Sequence, residues 1–169
     1  RRPYAQLNIG TGDLLASKNA GYEPKYSFVK VSNVYNTLDL VEGKVSGATA
    51  VVYGYNAIPT NEVFPVANYD YLAMNYLLVA SDKEVVDVEF GYTELDAATA
   101  QTRTVGSVPV QRNHRTNIYG QLLTSDVDIN IEIKPEYEEP AFELAELQKA
   151  ALNGGIVTLN ENVTLKAPL

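Results

Sequence analysis

The sequence predicts an all-β protein in which two sheets pack as a Greek-key-like sandwich. Three observations support this fold class. Turn residues recur about every ten residues, which is typical of sandwiches and barrels. Apolar and polar residues alternate cleanly in residues 127–133 and well in residues 84–93, as expected for strands with one buried face. A convincing helical pattern occurs only near the carboxyl terminus.

The amino-terminal elements are a strand and one short helix. Residues 1–9 alternate polar and apolar side chains and predict a strand. Residues 14–19 predict a helix, because Asp13 is a suitable N-cap and Gly21 is placed to end it.

Four strand-length segments and one loop fill the next part of the chain. Residues 25–34, 35–41 and 48–57 predict strands, with a turn at residues 42–43 and a bulge at Gly54. Residues 58–66 contain two prolines and predict a loop or a poor edge strand. The apolar run at residues 71–80 predicts a central strand.

The strongest strand signals lie between residues 84 and 133. Residues 84–93 predict a half-buried strand, residues 95–101 a hairpin tip and residues 102–110 the returning strand. Residues 116–124 carry bulky side chains on both faces, which favours a central position. Residues 127–133 have the cleanest alternation in the chain. The residues expected to point inward are Val86, Val88, Phe90, Tyr92, Val127, Ile129, Ile131 and Ile133.

The pattern changes after residue 134, which we take as the end of a sandwich domain at residues 1–134. Residues 135–140 combine two prolines with acidic residues and predict a linker. Residues 141–152 predict a helix with one apolar stripe. Residues 157–162 and 163–168 are near copies of one six-residue unit. Residues 141–169 therefore predict either the cap and first rungs of a β-helix or strands that dock on the sandwich.

Composition excludes several classes of function. The net charge of −8 disfavours nucleic acid as a partner, because phosphate recognition needs clustered Lys and Arg. The chain has no cysteine, so disulfides, thiolate nucleophiles and cysteine zinc sites are excluded. No signal peptide is visible, and we expect any targeting segment to lie outside this sequence.

Candidate catalytic and anion-binding residues are few. His114 is the one histidine, and we expect it in a surface turn without a neighbouring nucleophile. Arg112 and Arg115 could clamp a carboxylate or sugar acid, or pair with the acids of the chain itself. Gly10 and Gly12 could form a phosphate loop, but the Lys-Ser/Thr pair of such a loop is missing.

Acidic residues near the end of the predicted sandwich suggest calcium, but their spacing does not match an EF-hand. A solvated strand face explains them more simply, and a glycosidase pair would lack a Trp platform. We therefore expect no catalytic residue, no metal and no cofactor, and predict that the chain is not an enzyme. The acidic residues considered are Asp126, Asp128, Glu136, Glu138 and Glu139, together with the amide oxygen of Asn130.

Several long segments resemble fimbrillin-like cell-adhesion proteins from the surface of gut Bacteroidales. The longest is VPVQRNHRTNIYGQLLTSDVDINIEIKPEYEE, residues 108–139. The others are RRPYAQLNIGT (1–11), VSNVYNTLDLVEGKVSG (31–47) and FPVANYDYLAMNYLLV (64–79), so the resemblance covers about residues 1–139.

This resemblance implies a transthyretin-like sandwich that serves as a structural or adhesive subunit outside the cell. It also implies a cell-surface or outer-membrane location, a lipoprotein-type start upstream and a missing amino-terminal part. Donor-strand exchange would join the chain to other fimbrial subunits or to itself. If a leading strand is missing, we expect an open groove in the sandwich.

Two alternatives remain from the hexad repeats and the tyrosine-rich composition. The chain could be a carbohydrate-binding or accessory module in front of a β-helical domain, with host or microbial glycans or proteins as partners. It could also precede a catalytic β-helix of the polysaccharide lyase type.

Overall fold

The computed structural model describes residues 4–95, 101–125 and 129–135. The chain divides into two compact units, Arg1–Glu136 and Tyr137–Leu169, and all described residues belong to the first. The described residues form eight strands and one short helix. In chain order these are β1 (Tyr4–Thr11), α1 (Leu14–Asn19), β2 (Tyr26–Leu38), β3 (Val45–Ala57), β4 (Asp70–Leu78), β5 (Glu84–Thr93), β6 (Gln101–Val110), β7 (His114–Gly120) and β8 (Asn130–Pro135).

The strands form two four-stranded sheets. The first sheet has the order β4-β1-β7-β8 and the second has the order β3-β2-β5-β6. Neighbouring strands are antiparallel except for β1 and β7, which pair in parallel. This order is that of a transthyretin-like sandwich, so the predicted all-β, two-sheet fold class is confirmed.

The hydrophobic core lies between the two sheets. β5 contributes the four inward-facing residues that the alternation predicts, and each side chain is at most 2% exposed: Val86, Val88, Phe90 and Tyr92. β1 and β4 supply the opposing layer with Leu7, Ile9 and Leu77. Burial of such side chains contributes about 1.5–3 kcal/mol each and holds the sheets face to face.

β2 is one long strand, although the sequence predicts two. It runs from Tyr26 to Leu38 and contains Asn33, whose φ of 64° interrupts the regular backbone. The register with β3 shifts between Val31 and Val34 at this point. A bulge of this kind lets the strand continue past an irregular residue, so a local break in pattern does not end it.

β4 is an edge strand and not the central strand that its apolar sequence predicts. It pairs with β1 and has no other strand neighbour in the described sheet. Its apolar residues are buried because β4 packs against β2 across the core. An apolar run indicates that the side chains of a strand are buried. A strand can bury its side chains even when it pairs with another strand on one side only.

β8 is also an edge strand, and its inward residues are less buried than predicted. Ile129 is 36% exposed and Ile131 is 38% exposed, whereas Ile118, opposite Ile131 on β7, is fully buried. An edge strand has a neighbouring strand on one side only. Its alternation therefore identifies the inward-facing side chains, but these side chains can remain partly exposed to solvent. β7 is central as predicted, but it ends at Gly120 and begins at His114.

The short helix matches its prediction. α1 spans Leu14–Asn19, and Gly21 adopts a positive φ of 90° beyond its end. Asp13 occupies the N-cap position but makes no capping hydrogen bond to the helix. The loop predicted at residues 58–66 is likewise irregular in the structure.

Several predictions fall outside the described residues and stay predictions. These are the hairpin tip at residues 96–100, most of the linker at residues 135–140, the helix at residues 141–152 and the repeats at residues 157–168. Among the described residues, no helix has the length and apolar character needed to cross a membrane.

Candidate functional site

His114 is the first residue of β7 and closes the turn between β6 and β7, because its backbone N–H donates to the carbonyl of Gln111 at 3.1 Å. Its Nδ1 atom is 3.0 Å from the carbonyl oxygen of Arg112, so that nitrogen carries the proton in this hydrogen bond. The ring therefore braces the tight turn between β6 and β7. This contact gives the imidazole a structural role.

Arg112 is bound to backbone carbonyls, where the sequence suggested carboxylates or an external anion. Its Nε and Nη2 atoms donate to the carbonyl of Val79 at 3.3 and 3.2 Å, and Nη1 donates to that of Gly43 at 2.7 Å. One guanidinium thus joins the end of β4 to the β2–β3 turn. Its rigid fork of donors suits this role, which a single ammonium group could not fill in the same way.

Arg115 belongs to the outer face of the first sheet. It lies opposite Gln6 on β1 and Lys134 on β8 in the ladder register. Burial raises the pKa of Tyr71, and the Arg115 charge partly offsets that rise. The structure thus separates Arg115 from the backbone clamp formed by Arg112.

A buried amide row fixes the parallel pairing of β1 and β7. Gln6 Nε2 donates to Asn8 Oδ1 at 3.0 Å, and Asn8 Nδ2 donates to Asn117 Oδ1 at 2.9 Å. All three side chains are at most 7% exposed. The alternation in residues 1–9 indicates that Gln6 and Asn8 share a face, and the structure shows that this face carries a buried hydrogen-bonded network.

The acids considered for calcium lie mostly outside the described residues: Asp126, Asp128, Glu136, Glu138 and Glu139. Asn130 is the first residue of β8 and is exposed. Within residues 4–95, 101–125 and 129–135, no group of three or more His, Cys, Asp or Glu side chains could hold a metal ion.

Asp13 anchors the turn that follows β7. Its carboxylate accepts hydrogen bonds from the Thr11 hydroxyl, from the backbone N–H groups of Leu123 and Thr124, and from the Thr124 hydroxyl at 2.6 Å. Burial would raise the pKa of Asp13, but these hydrogen bonds outweigh it and hold the pKa below the ordinary value of 3.8. Sequence reasoning identified the residue and missed this role, because Leu123 and Thr124 lie more than 100 positions away.

Gly10 is required by a ring and not by a phosphate. A Cβ at this position would lie 2.5 Å from the ring of Phe64, which packs onto the strand from the β3–β4 loop. The same ring packs edge to face against Tyr71, with the ring centroids 5.0 Å apart. The ring centroids of Tyr69 and Tyr119 are 4.9 Å apart. This aromatic cluster, formed by these four aromatic residues, fastens the loop to the first sheet.

Two of the four edge strands are protected against pairing with other chains. β6 contains Arg103, Pro109 and a positive-φ Ser107. β8 is only six residues long, and Glu132, Lys134 and Pro135 occupy half of it. Charges, prolines and irregular backbone are the usual devices that prevent an edge from adding another strand.

β4 is protected by a side chain from the other sheet. The hydroxyl of Tyr53 on β3 donates to the backbone carbonyl of Tyr76 on β4 at 2.7 Å. Burial raises the pKa of Tyr53, which keeps it a neutral donor. A cavity of about 30 Å³ lies beside this contact, and Asn75 and Ser27 line it. That volume suits about one water molecule and not an organic substrate.

β3 carries no comparable protection by charge or proline. It is 13 residues long, VSGATAVVYGYNA, without a charged residue or a proline. Positive φ angles in β3 occur only at Gly47 and Tyr55, and residues 48–54 between them form a regular segment in the sense that exposed and half-buried side chains alternate. The pairing of this segment with β2 shifts register between Thr49 and Val51 and again beyond Tyr53. Val52 in this segment is 59% exposed. We call residues 48–54 the open edge.

Comparisons with known proteins identify a family and a remote structural similarity. Residues 1–166 match the model described as "Family of unknown function (DUF6562)". Among curated proteins, none matches the chain. The chain is similar to a crystal structure of a fimbrial protein from Bacteroides vulgatus ATCC 8482, with 9% identity and a TM-score of 0.29. The match covers 79% of this chain and 54% of the other, so the chain spans about half the length of that protein. Values this low carry no functional argument.

Proposed function

We propose that this chain, which belongs to the family of unknown function DUF6562, is a surface-exposed structural or adhesive subunit of fimbria-like assemblies and not an enzyme. The resemblance of residues 1–139 to fimbrillin-like adhesion proteins supports this proposal. The single structural observation that carries it is the open edge of β3.

An edge without charges or prolines is suited to adding a strand from a neighbouring subunit. The backbone N–H and C=O groups on its outer side lack a ladder partner in the described sheet, since β3 pairs only with β2. A donated strand would supply those hydrogen bonds, and its alternate side chains would contact both faces of the sheet. Strand addition therefore needs no pocket and no catalytic group.

The mode of addition differs from the filling of an open groove. Each inner strand, β1 and β7 in the first sheet and β2 and β5 in the second, has a neighbour on both sides. A donor strand would thus extend a sheet at its edge, where no existing strand must leave. Partners in this proposal are other fimbrial subunits or further copies, and the net charge of −8 disfavours nucleic acid.

The location follows from the same proposal. The resemblance to fimbrillin-like proteins supports a location at the cell surface or outer membrane. The absence of cysteine means that assembly would depend on strand pairing and packing, with no disulfide to covalently join subunits.

Cell-surface labelling tests the proposal. The full-length gene, with an epitope at residue 63 in the exposed β3–β4 loop, should yield a product that is accessible to antibody and to added protease on intact cells. Fibres or clusters should be visible by immunogold electron microscopy, and deletion of the gene should reduce adhesion to host cells or to other bacteria. A product retained inside the cell, or a gene deletion without effect on both adhesion and surface structures, would overturn it.

A second candidate is a carbohydrate-binding module, and the aromatic cluster favours it. The rings of Tyr69 and Tyr119 are half-buried and meet at 4.9 Å with an interplanar angle of 69°. Half-exposed tyrosine rings can stack on sugar rings while their hydroxyls bind polar groups. Glycan-array binding that is lost in Tyr69→Ala and retained in Tyr55→Ala, a tyrosine stacked on Phe28 in the other sheet, would support this candidate.

A further inference from the structure

We propose that the open edge of β3 pairs with the open edge of a second copy of this chain. The two segments would run antiparallel about Val51 and join the second sheets of two copies into one eight-stranded sheet. This inference rests on the proposed function, since it names the partner and the register of strand addition.

Charge favours a second copy at this edge. Two molecules with a net charge of −8 repel each other, so a contact between copies must avoid surfaces that carry carboxylates. β3 carries no charge along its 13 residues. Of the other three edges, β6 and β8 carry charges and prolines, and Tyr53 caps a carbonyl of β4.

The shape of the sandwich leaves room for the second copy. β4 packs against β2 and only marginally against β3, so β3 extends beyond the edge of the first sheet. A strand placed beside β3 would therefore meet the backbone of β3 before it met β4. The half-buried inner side chains of Val51 and Tyr53 would gain cover from it.

The sequence of the open edge is complementary to itself. Gly47 and Tyr55 limit the regular segment to residues 48–54, whose midpoint is Val51. Antiparallel pairing about Val51 sets Val52 opposite Ala50 of the second copy, on the outer face. The same register sets Tyr53 opposite Thr49 on the inner face. The pair of Tyr53 and Thr49 joins an aromatic to a β-branched residue, a combination that stabilises directly opposed cross-strand pairs.

Single cysteines provide a direct test, because the chain contains none. Opposed residues in an antiparallel pair have Cα atoms about 4.5–5.5 Å apart, within the range that a disulfide spans. Purified Val51→Cys should form a disulfide-linked dimer under mild oxidation. Ala50→Cys alone should link at least five-fold less, since its copies are diagonal neighbours about 7–8 Å apart. Mixing Ala50→Cys with Val52→Cys should give the heterodimer.

The control for random collision is Val63→Cys, at a site in the β3–β4 loop that is 90% exposed and lies outside β3. Equal linking of Val51→Cys and Val63→Cys, or no preference for position 51 over position 50, would overturn the register. A chain that remains monomeric in sedimentation at 100-fold higher concentration than the linking experiment would overturn the pairing itself.

Charge substitution gives an independent test with a rescue. Ala50→Glu adds a carboxylate to each copy at an exposed outer-face position, so the dimer should be lost while the circular dichroism spectrum is retained. The double variant Ala50→Glu/Val52→Lys sets each new carboxylate opposite a new ammonium group and should restore at least half of the dimer. Failure of the double variant to restore it would contradict the register about Val51.

The outcomes separate this inference from the proposed function. Surface fibres in cells together with no position-51 disulfide would refute self-pairing at β3 and leave the structural role standing. A position-51 disulfide in a protein that never reaches the surface would refute the structural role alone.

Discussion

Replacement of Asp13 by alanine should destabilise the sandwich strongly, because one carboxylate holds the turn after β7. The variant Asp13→Ala removes the acceptor for two backbone N–H groups, of Leu123 and Thr124, and for two hydroxyls. The hydroxyls can rotate to other acceptors, whereas the backbone donors cannot. At about 1–2 kcal/mol for each backbone donor to a carboxylate, the free energy of unfolding should fall by about 2–4 kcal/mol.

The loss of stability in Asp13→Ala should become smaller at low pH. The pKa of Asp13 in the folded protein lies below its ordinary value of 3.8. A carboxyl group with a lowered pKa stabilises the fold above its unfolded pKa, and that contribution disappears as pH falls through the folded pKa. The difference in stability between wild type and Asp13→Ala should therefore be constant from pH 7 to about pH 4 and shrink below that.

Urea-induced unfolding at a series of pH values measures both effects. The matched control is Asp39→Ala, because Asp39 also accepts two backbone N–H groups, from Val41 and Glu42, but is solvent-exposed. Water can replace the lost acceptor there, so the loss should be clearly smaller. Equal losses for the two variants, or a difference that grows as the solution is acidified, would refute the reasoning.

Three further substitutions test single contacts by the same unfolding measurement. Gly10→Ala should cost about 1–3 kcal/mol, because the new methyl group overlaps the Phe64 ring; Gly54→Ala, where nothing lies within 4 Å, should cost less. A Phe64→Leu background should reduce the Gly10→Ala penalty, and an unchanged penalty would contradict the overlap. Arg112→Lys should lower the free energy of unfolding by about 1–2 kcal/mol, since one ammonium group cannot reach the carbonyls of both Gly43 and Val79. Unchanged stability would show that these hydrogen bonds do not stabilise the fold. Tyr53→Phe should lose about 1 kcal/mol with its hydrogen bond to β4, and no change would mean that water replaces it.

The all-β fold class could be predicted from alternation and turn spacing, because both are local properties of the chain. The inward residues of β5 follow from a period of two, and the structure buries all four of them. The position of a strand within its sheet could not be predicted in the same way. The apolar sequence of β4 predicts a central strand, but β4 lies at an edge. The alternation of β1 predicts a strand without indicating its neighbours, and β1 lies between β4 and β7. Sheet position depends on pairing with distant segments, which side-chain pattern does not report.

Side-chain roles were predictable only where partners are close in sequence. Gly21 ends its helix as expected, since the requirement for positive φ is local. Asp13 and Arg112 were identified as notable residues, but their partners lie elsewhere in the chain. The sequence of the proline-containing loop does not indicate that Phe64 packs on Gly10, although this ring leaves no space for a side chain at position 10. The open edge of β3 is visible as an uncharged stretch, and its exposure became clear only from the strand order.

The parallel ladder between β1 and β7 has a consequence for how the chain is made. β1 is synthesised before the other described strands, yet Asn117 on β7, the partner of its Asn8, lies 109 residues later. Ribosomes add about 5–20 residues per second, so the apolar row of Ala5, Leu7 and Ile9 waits several seconds for its neighbour to emerge. Closing so distant a contact also slows folding itself. A holdase chaperone that recognises extended apolar segments would meet this row before the other described strands.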